Sequence, residues 1–160
     1  GWGCGGVHSM MSVRGRGRVG VAALSVVIAQ AGLESEIEYA KQRKQFDRAI
    51  SEFQGCQWLM ADMAKDIEAA RLLTEAAAEK IDAGKDATIA CSMAKCFAGD
   101  MVVARSADAV QVFGGSGYIR GFEVERLYRD AKICQIYEGT NQIQRMIIAR
   151  ELLKNGAIND

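Results

Sequence analysis

An all-α fold, an antiparallel up-down four-helix bundle, is what this sequence predicts, and three observations carry it. Apolar residues recur at steps of three, four and seven over long stretches. No segment sustains the apolar/polar alternation of a half-buried strand. Proline is absent, and 17 glycines supply the breaks between the periodic stretches. A hydrophobic content of 49% with only 7% aromatic residues suits helices packed closely through Ala and Gly. At 160 residues the chain is long enough for one domain with a real core.

Taken in order, residues 1–13 (GWGCGGVHSMMSV) have no periodicity and lack the apolar core and cleavage site of a signal peptide. They are expected to be a leader, tag or junction segment, ahead of a bundle domain over residues 14–160. Arg14, Arg16 and Arg18 then alternate with Val13, Gly15 and Gly17, either as a solvated basic helix entry or as a phosphate contact. From Arg18 to about Tyr39 the sequence is apolar on most sides, which predicts a central helix covered by several neighbours. Residues 42–50 are polar with one aromatic. Ser51 followed by Glu52 starts a second helix, running to Asp82 with Leu59, Met63, Ile67, Ala70 and Ala77 on its inner stripe and Gly84 beyond its end.

A third helix is predicted over 87–113, with Met93, Phe97, Val103, Ala107 and Val110 inside. It runs into the cluster Gly114-Gly115-Ser116-Gly117. This cluster fails the dinucleotide-loop pattern, because Arg120 stands at its last position and a helix precedes it where a strand is required. A turn between helices is the reading. The fourth helical segment, from Glu123 to about Lys132, leads to a break at Gly139 and resumes toward Lys154, with Thr140 as its cap.

Lys+Arg and Asp+Glu both count 20, so no global field favours nucleic acid or a membrane surface. The longest apolar run, Val19 to Ala29, is interrupted by glycine and is read as falling short of a membrane span. Five scattered cysteines, with no C-x-x-C pair and a single histidine, His8, in the leader, predict reduced thiols in a cytosolic protein and no metal site.

Glu138 falls at the break between helices, beside free N–H groups. There it serves either as a general base, if its surroundings exclude water, or as a solvated carboxylate before a cap. Four segments in order bear on the choice: Tyr39-Ala40-Lys41-Gln42-Arg43-Lys44-Gln45-Phe46, Asp108-Ala109-Val110-Gln111-Val112-Phe113-Gly114-Gly115, Val124-Glu125-Arg126-Leu127-Tyr128-Arg129-Asp130-Ala131-Lys132, and Ile136-Tyr137-Glu138-Gly139-Thr140. Together they resemble the signatures of the acyl-CoA dehydrogenases, over the C-terminal helical domain. The chain is too short for that family's usual three-domain subunit.

The resemblance implies that Glu138 is the base that removes the α-proton of an acyl-CoA thioester while FAD accepts hydride from the β-carbon. It implies equally that the Glu138 N–H and a flavin hydroxyl polarise the thioester carbonyl. By the same resemblance, Arg43, Gln45 and Phe46 reach the pyrophosphate and adenine of an FAD held by a neighbouring subunit, with further contacts from Gln54, Gln111 and Gly115. Thr140 and Gln142 touch FAD just after the base. Tyr137 and Gly139 lie on the substrate side, and Arg18 stands near the CoA entrance, although Gly15 replaces its usual Asp partner. Ala49 and Glu123 stand where the family commonly has proline. Some relatives place the base on the first bundle helix, at the position of Gly17, which has no side chain to act.

The implied partners are an acyl-CoA, an electron-transferring flavoprotein and further copies of the chain in a dimer or tetramer. The implied location is the cytoplasm, or the mitochondrial matrix in a eukaryote. The isolated span is expected to be inactive. Rival readings are part of an acyl-CoA oxidase and a non-catalytic helical oligomerisation domain.

Overall fold

The computed structural model describes residues 5–156, with side chains placed for residues 15–154. Three long helices and a broken fourth column make the domain. Helix α1 spans Gly5–Gln42, α2 Gln54–Asp82 and α3 Thr88–Phe113. A one-turn α4 (Gly115–Tyr118) comes next, then α5 (Val124–Ala131), a 3-10 turn over Lys132–Gln135, and α6 (Asn141–Asn155).

Helix α1 begins inside the stretch read as a leader and runs without interruption through Gly15, Gly17, Gly20 and Gly32. At Gly32 an added Cβ would stand 3.8 Å from the Ala109 Cβ, so glycine there lets α3 approach closely. The continuity corrects one expectation. Residues 15–42 are long and apolar enough, by length and composition, to cross a membrane. Half of the apolar window is buried against the protein's own helices, as Val21, Ala22, Val26, Ala29 and Leu33 join the core.

After α1, strands β1 (Lys44–Gln45) and β2 (Arg48–Ala49) form a two-stranded antiparallel hairpin. Its turn residues are Phe46 (φ 54) and Asp47 (φ 61), both left-handed. The sequence shows no Asn-Gly or Asp-Gly pair here, which is why the stretch reads as a featureless polar link. Phe53, in extended conformation, separates a 3-10 turn over Ile50–Glu52 from α2. Met63, Ile67, Ala70 and Ala77 are buried along α2 as its periodicity predicts, while Leu59 is only partly covered.

The inner face of α3 differs from the predicted one. Cys91, Ala94, Ala98, Val102 and Ala109 face the core, whereas Met93, Val103, Ala107 and Val110 are half-buried and Phe97 is exposed. Ala109 meets α1 at Gly32, while Met93 and Phe97 line a groove with Leu73 of α2 and Ile148 of α6. Cys91 lies by Gly15, the Arg18 Nη1 donates to Ser92 Oγ (3.2 Å), and Tyr39 stacks on Phe113 at 4.1 Å. Helices α1 and α3 therefore run parallel, with α2 returning between them, and the bundle has two distinct ends.

Glu36 is buried in α1 with neither carboxylate oxygen hydrogen-bonded. Burial, reinforced by Asp108 and only partly offset by Arg105, pushes its pKa up to about 7 from the ordinary 4.5. A carboxyl with a raised folded-state pKa stabilises the fold fully below the unfolded value, and that contribution is lost as pH rises through the folded value. Glu36→Met is therefore expected to gain on the native chain by on the order of 3 kcal/mol between pH 4.5 and pH 8, read from urea midpoints at the two pH values. A gap that does not change with pH would contradict this.

Candidate active site

The chain leaves α5 through the 3-10 turn, where Cys134 is buried, and reverses at Glu138 (φ 54) and Gly139 (φ 88) before α6 starts. Thr140 caps α6 as its position predicts, its Oγ1 accepting from Ile143 N at 3.4 Å. A left-handed glycine is the expected end of a helix; a left-handed glutamate beside it costs about 1–3 kcal/mol and persists only where its surroundings impose it.

Those surroundings are a buried polar network. Gln144 Nε2 donates to the carbonyl oxygens of Glu138 (3.2 Å) and Gly139 (3.0 Å). Lys95 Nζ donates to the Gly139 carbonyl and to Asn141 Oδ1, both at 2.8 Å. Asn141 Nδ2 in turn donates to Cys96 O (3.0 Å) and Asp100 Oδ1 (2.7 Å), and Gln135 Nε2 donates to the same Asp100 oxygen at 2.8 Å. Arg145 pairs with the other Asp100 oxygen. Burial alone would raise the Asp100 pKa; hydrogen bonds from Asn141, Arg145 and Gln135 outweigh it and hold the carboxyl below its ordinary value. Lys95 and Gln144 are fully buried and Asn141 nearly so. None of the three stands out as a site residue in the sequence. The available signal was Lys95 itself, a cation between Ala94 and Cys96 on an apolar helix.

The Glu138 side chain reaches to α1. A Cβ built at Gly17 would lie 2.6 Å from Glu138 Oε2, so the carboxylate fills the space over that glycine. The two positions that the family resemblance offers for a base thus meet in one place, and only one carries a side chain. No hydrogen bond among the described residues engages the Glu138 N–H, which stays available to an acceptor. Glu138 is nonetheless exposed, so these helices do not themselves exclude water from it. Gly17→Leu is expected to displace the carboxylate and lower turnover of the whole protein by about a hundredfold, with stability changed by no more than about 1 kcal/mol because the clashing atoms end a flexible side chain. Unchanged kcat would remove Gly17 from the site.

The structure divides the predicted site residues between the two ends. Arg18, Tyr137, Glu138, Gly139, Thr140 and Gln142 gather at the end where α3 begins. Arg43, Gln45 and Phe46 sit at the hairpin at the opposite end, with Gln54 opening α2, Gln111 near the end of α3 and Gly115 opening α4; all six are exposed. Along α1 the ends are roughly 39 Å apart at 1.5 Å per residue. Phe46 is 87% exposed, and the Arg43 guanidinium has no ion-pair partner among the described residues. An unpaired fork of donors, an exposed ring and three side-chain amides fit the pyrophosphate and adenine of the FAD that the resemblance implies. They cannot do so for a flavin lying against Glu138 of the same chain.

Residues 5–153 match the family described as acyl-CoA dehydrogenase, C-terminal domain. An acyl-CoA dehydrogenase of Bacillus subtilis is 50% identical over 148 residues, which are 92% of this chain and 39% of that protein. The caffeyl-CoA reductase-Etf complex subunit CarC of Acetobacterium woodii is 46% identical over 149 residues, 93% of this chain and 39% of its own length. The structure of butyryl-CoA dehydrogenase from Megasphaera elsdenii superposes with a TM-score of 0.88 at 45% identity, covering 89% of this chain and 37% of that one. The chain spans about two fifths of the length of these relatives.

Proposed function

Because the chain belongs to the acyl-CoA dehydrogenase family through its C-terminal helical domain, we propose that the whole protein desaturates an acyl-CoA thioester at its α,β bond with Glu138 as the base. One observation carries this: a left-handed carboxylate-bearing turn, clamped by buried side chains, with its N–H unspent and its side chain over Gly17. A carboxylate there takes the α-proton, while the Glu138 N–H holds the thioester carbonyl and stabilises the charge that develops on it. FAD, when bound, supplies the acceptor for the hydride leaving the β-carbon.

Thr140 and Gln142 would meet that flavin beside the base, and Tyr137, Gly139 and Arg18 the substrate. Arg43, Gln45, Phe46, Gln54, Gln111 and Gly115 would hold the phosphate and adenine end of a flavin whose ring lies in another subunit's site, since one chain's two ends are too far apart. Hence the working form is a homo-oligomer, a dimer or tetramer. We place it in the cytoplasm or mitochondrial matrix, with no nucleic acid as partner and with α1, half of its apolar window buried in the bundle, not spanning a membrane. An electron-transferring flavoprotein takes the electrons onward; the name of the Acetobacterium woodii relative, an Etf complex subunit, supports this.

The shared site has a direct test. Whole-protein Glu138→Gln and Arg43→Ala variants, each inactive alone, are refolded together. In a mixed oligomer one site combines an intact base with an intact Arg43 from the neighbour, so activity returns. No recovery in demonstrated hetero-oligomers would contradict it. The 160-residue span alone is expected to turn over no acyl-CoA.

A further inference from the structure

We propose that Lys95 is a positioning residue for the Glu138 base, fixing from the middle of α3 the Gly139 carbonyl and with it the left-handed turn that aims the carboxylate. The inference rests on the reading of Glu138 as base. Packing needs no cation at this position. Lys95 is fully buried on a face of α3 otherwise lined by Cys91, Ser92, Ala94 and Ala98. Burial pulls its pKa below the ordinary lysine value.

Among the described residues no carboxylate pairs with its ammonium: Asp100, the acid nearby, is taken up by Asn141, Gln135 and Arg145. Removing an ammonium from water without a counter-charge is costly, and an unbranched apolar side chain would fill the same space without that cost. What the charge secures is two hydrogen bonds, and both land next to the base. One goes to the Gly139 carbonyl, the other to Asn141 Oδ1, whose own amide is anchored to Cys96 O and Asp100.

Gln144 holds the same turn from α6, through the carbonyls of Glu138 and Gly139. The turn that carries the strained φ of Glu138 is therefore gripped from two helices. With Lys95 gone, the Gly139 carbonyl keeps one donor, Gln144, and the peptide is free to swing. The carboxylate then samples orientations away from the α-carbon. Binding of the acyl-CoA, which the turn shares with Arg18 and Tyr137, falls less than the proton transfer does.

The test uses the whole flavin-loaded protein with Lys95→Met, Lys95→Arg and Gln144→Met, and Glu138→Gln as reference. Steady-state kcat and KM for a short acyl-CoA and the rate of α-proton exchange in deuterated water are measured. Lys95→Met is expected to load flavin and assemble normally, to lose about tenfold or more in kcat and exchange, and to keep KM within about twofold; Lys95→Arg, which keeps a donor, restores part of the loss. Gln144→Met should show the same split, and decides the question if Lys95→Met does not fold. Wild-type exchange in a folded Lys95→Met or in Gln144→Met, with Glu138→Gln inactive, overturns the positioning role alone. Wild-type exchange in Glu138→Gln overturns the base reading and this proposal with it.

Discussion

Replacing Glu138 with Gln in the whole protein is expected to cut turnover by roughly 10²–10⁴-fold, the range a positioned general base supplies, while flavin stays bound. The substitution is nearly isosteric. It leaves the backbone carbonyl that accepts from Gln144 in place and asks nothing new of the left-handed turn. It removes only the proton acceptor. Among the described residues, the position facing the carboxylate is Gly17, which offers no second acceptor. Steady-state rates with an artificial electron acceptor, alongside the visible flavin spectrum, make the comparison; a Gln variant within a few fold of wild type would contradict the assignment.

A large loss of stability is expected at Gly99. A Cβ there would stand 2.9 Å from the Cys134 carbonyl oxygen and 3.0 and 3.2 Å from the Asn141 amide atoms. Neither wall can yield cheaply: one is backbone in a buried turn, and the other is bonded to Lys95, Cys96 and Asp100. Gly99→Val is expected to cost about 3 kcal/mol or more, seen as a lower urea midpoint and loss of helical signal as α6 comes off α3. Gly20 gives the contrast. Nothing lies within 4 Å of its built Cβ, so Gly20→Ala in the same helical bundle is expected to gain up to about 1 kcal/mol. Equal effects at the two glycines would refute the packing account.

Helical periodicity made α2 and the ends of α3 legible, because one apolar stripe on α2 and glycines at 84 and 114 leave few alternatives. The inner face of α3 was not, since Ala, Cys and Gly on it look less apolar than the Met and Phe that turn outward. Close approach to α1, which selects small residues, cannot be seen from one helix alone. The hairpin escaped notice because Phe46 and Asp47 adopt conformations usually left to Gly or Asn. At the site, the break, Gly139 and the Thr140 cap were legible from residue type, and Glu138 from its family signature. That Gly17 lies under the carboxylate, and that Lys95, Asn141 and Gln144 grip the turn, depends on contacts spanning up to about 120 positions, as from Gly17 to Glu138. The division of the predicted cofactor contacts between two ends depends on α1 and α3 running parallel, which no single stretch of sequence carries.

The most direct measurement is exchange of the substrate's α-proton in deuterated water, catalysed by the whole flavin-loaded protein and followed by mass spectrometry. It reads the base separately from the redox step and from electron delivery. Deuterium appearing at the α-carbon with the native protein and not with Glu138→Gln is the expected result. Equal exchange by both would show that another group takes the proton and that the Glu138 turn serves the fold alone.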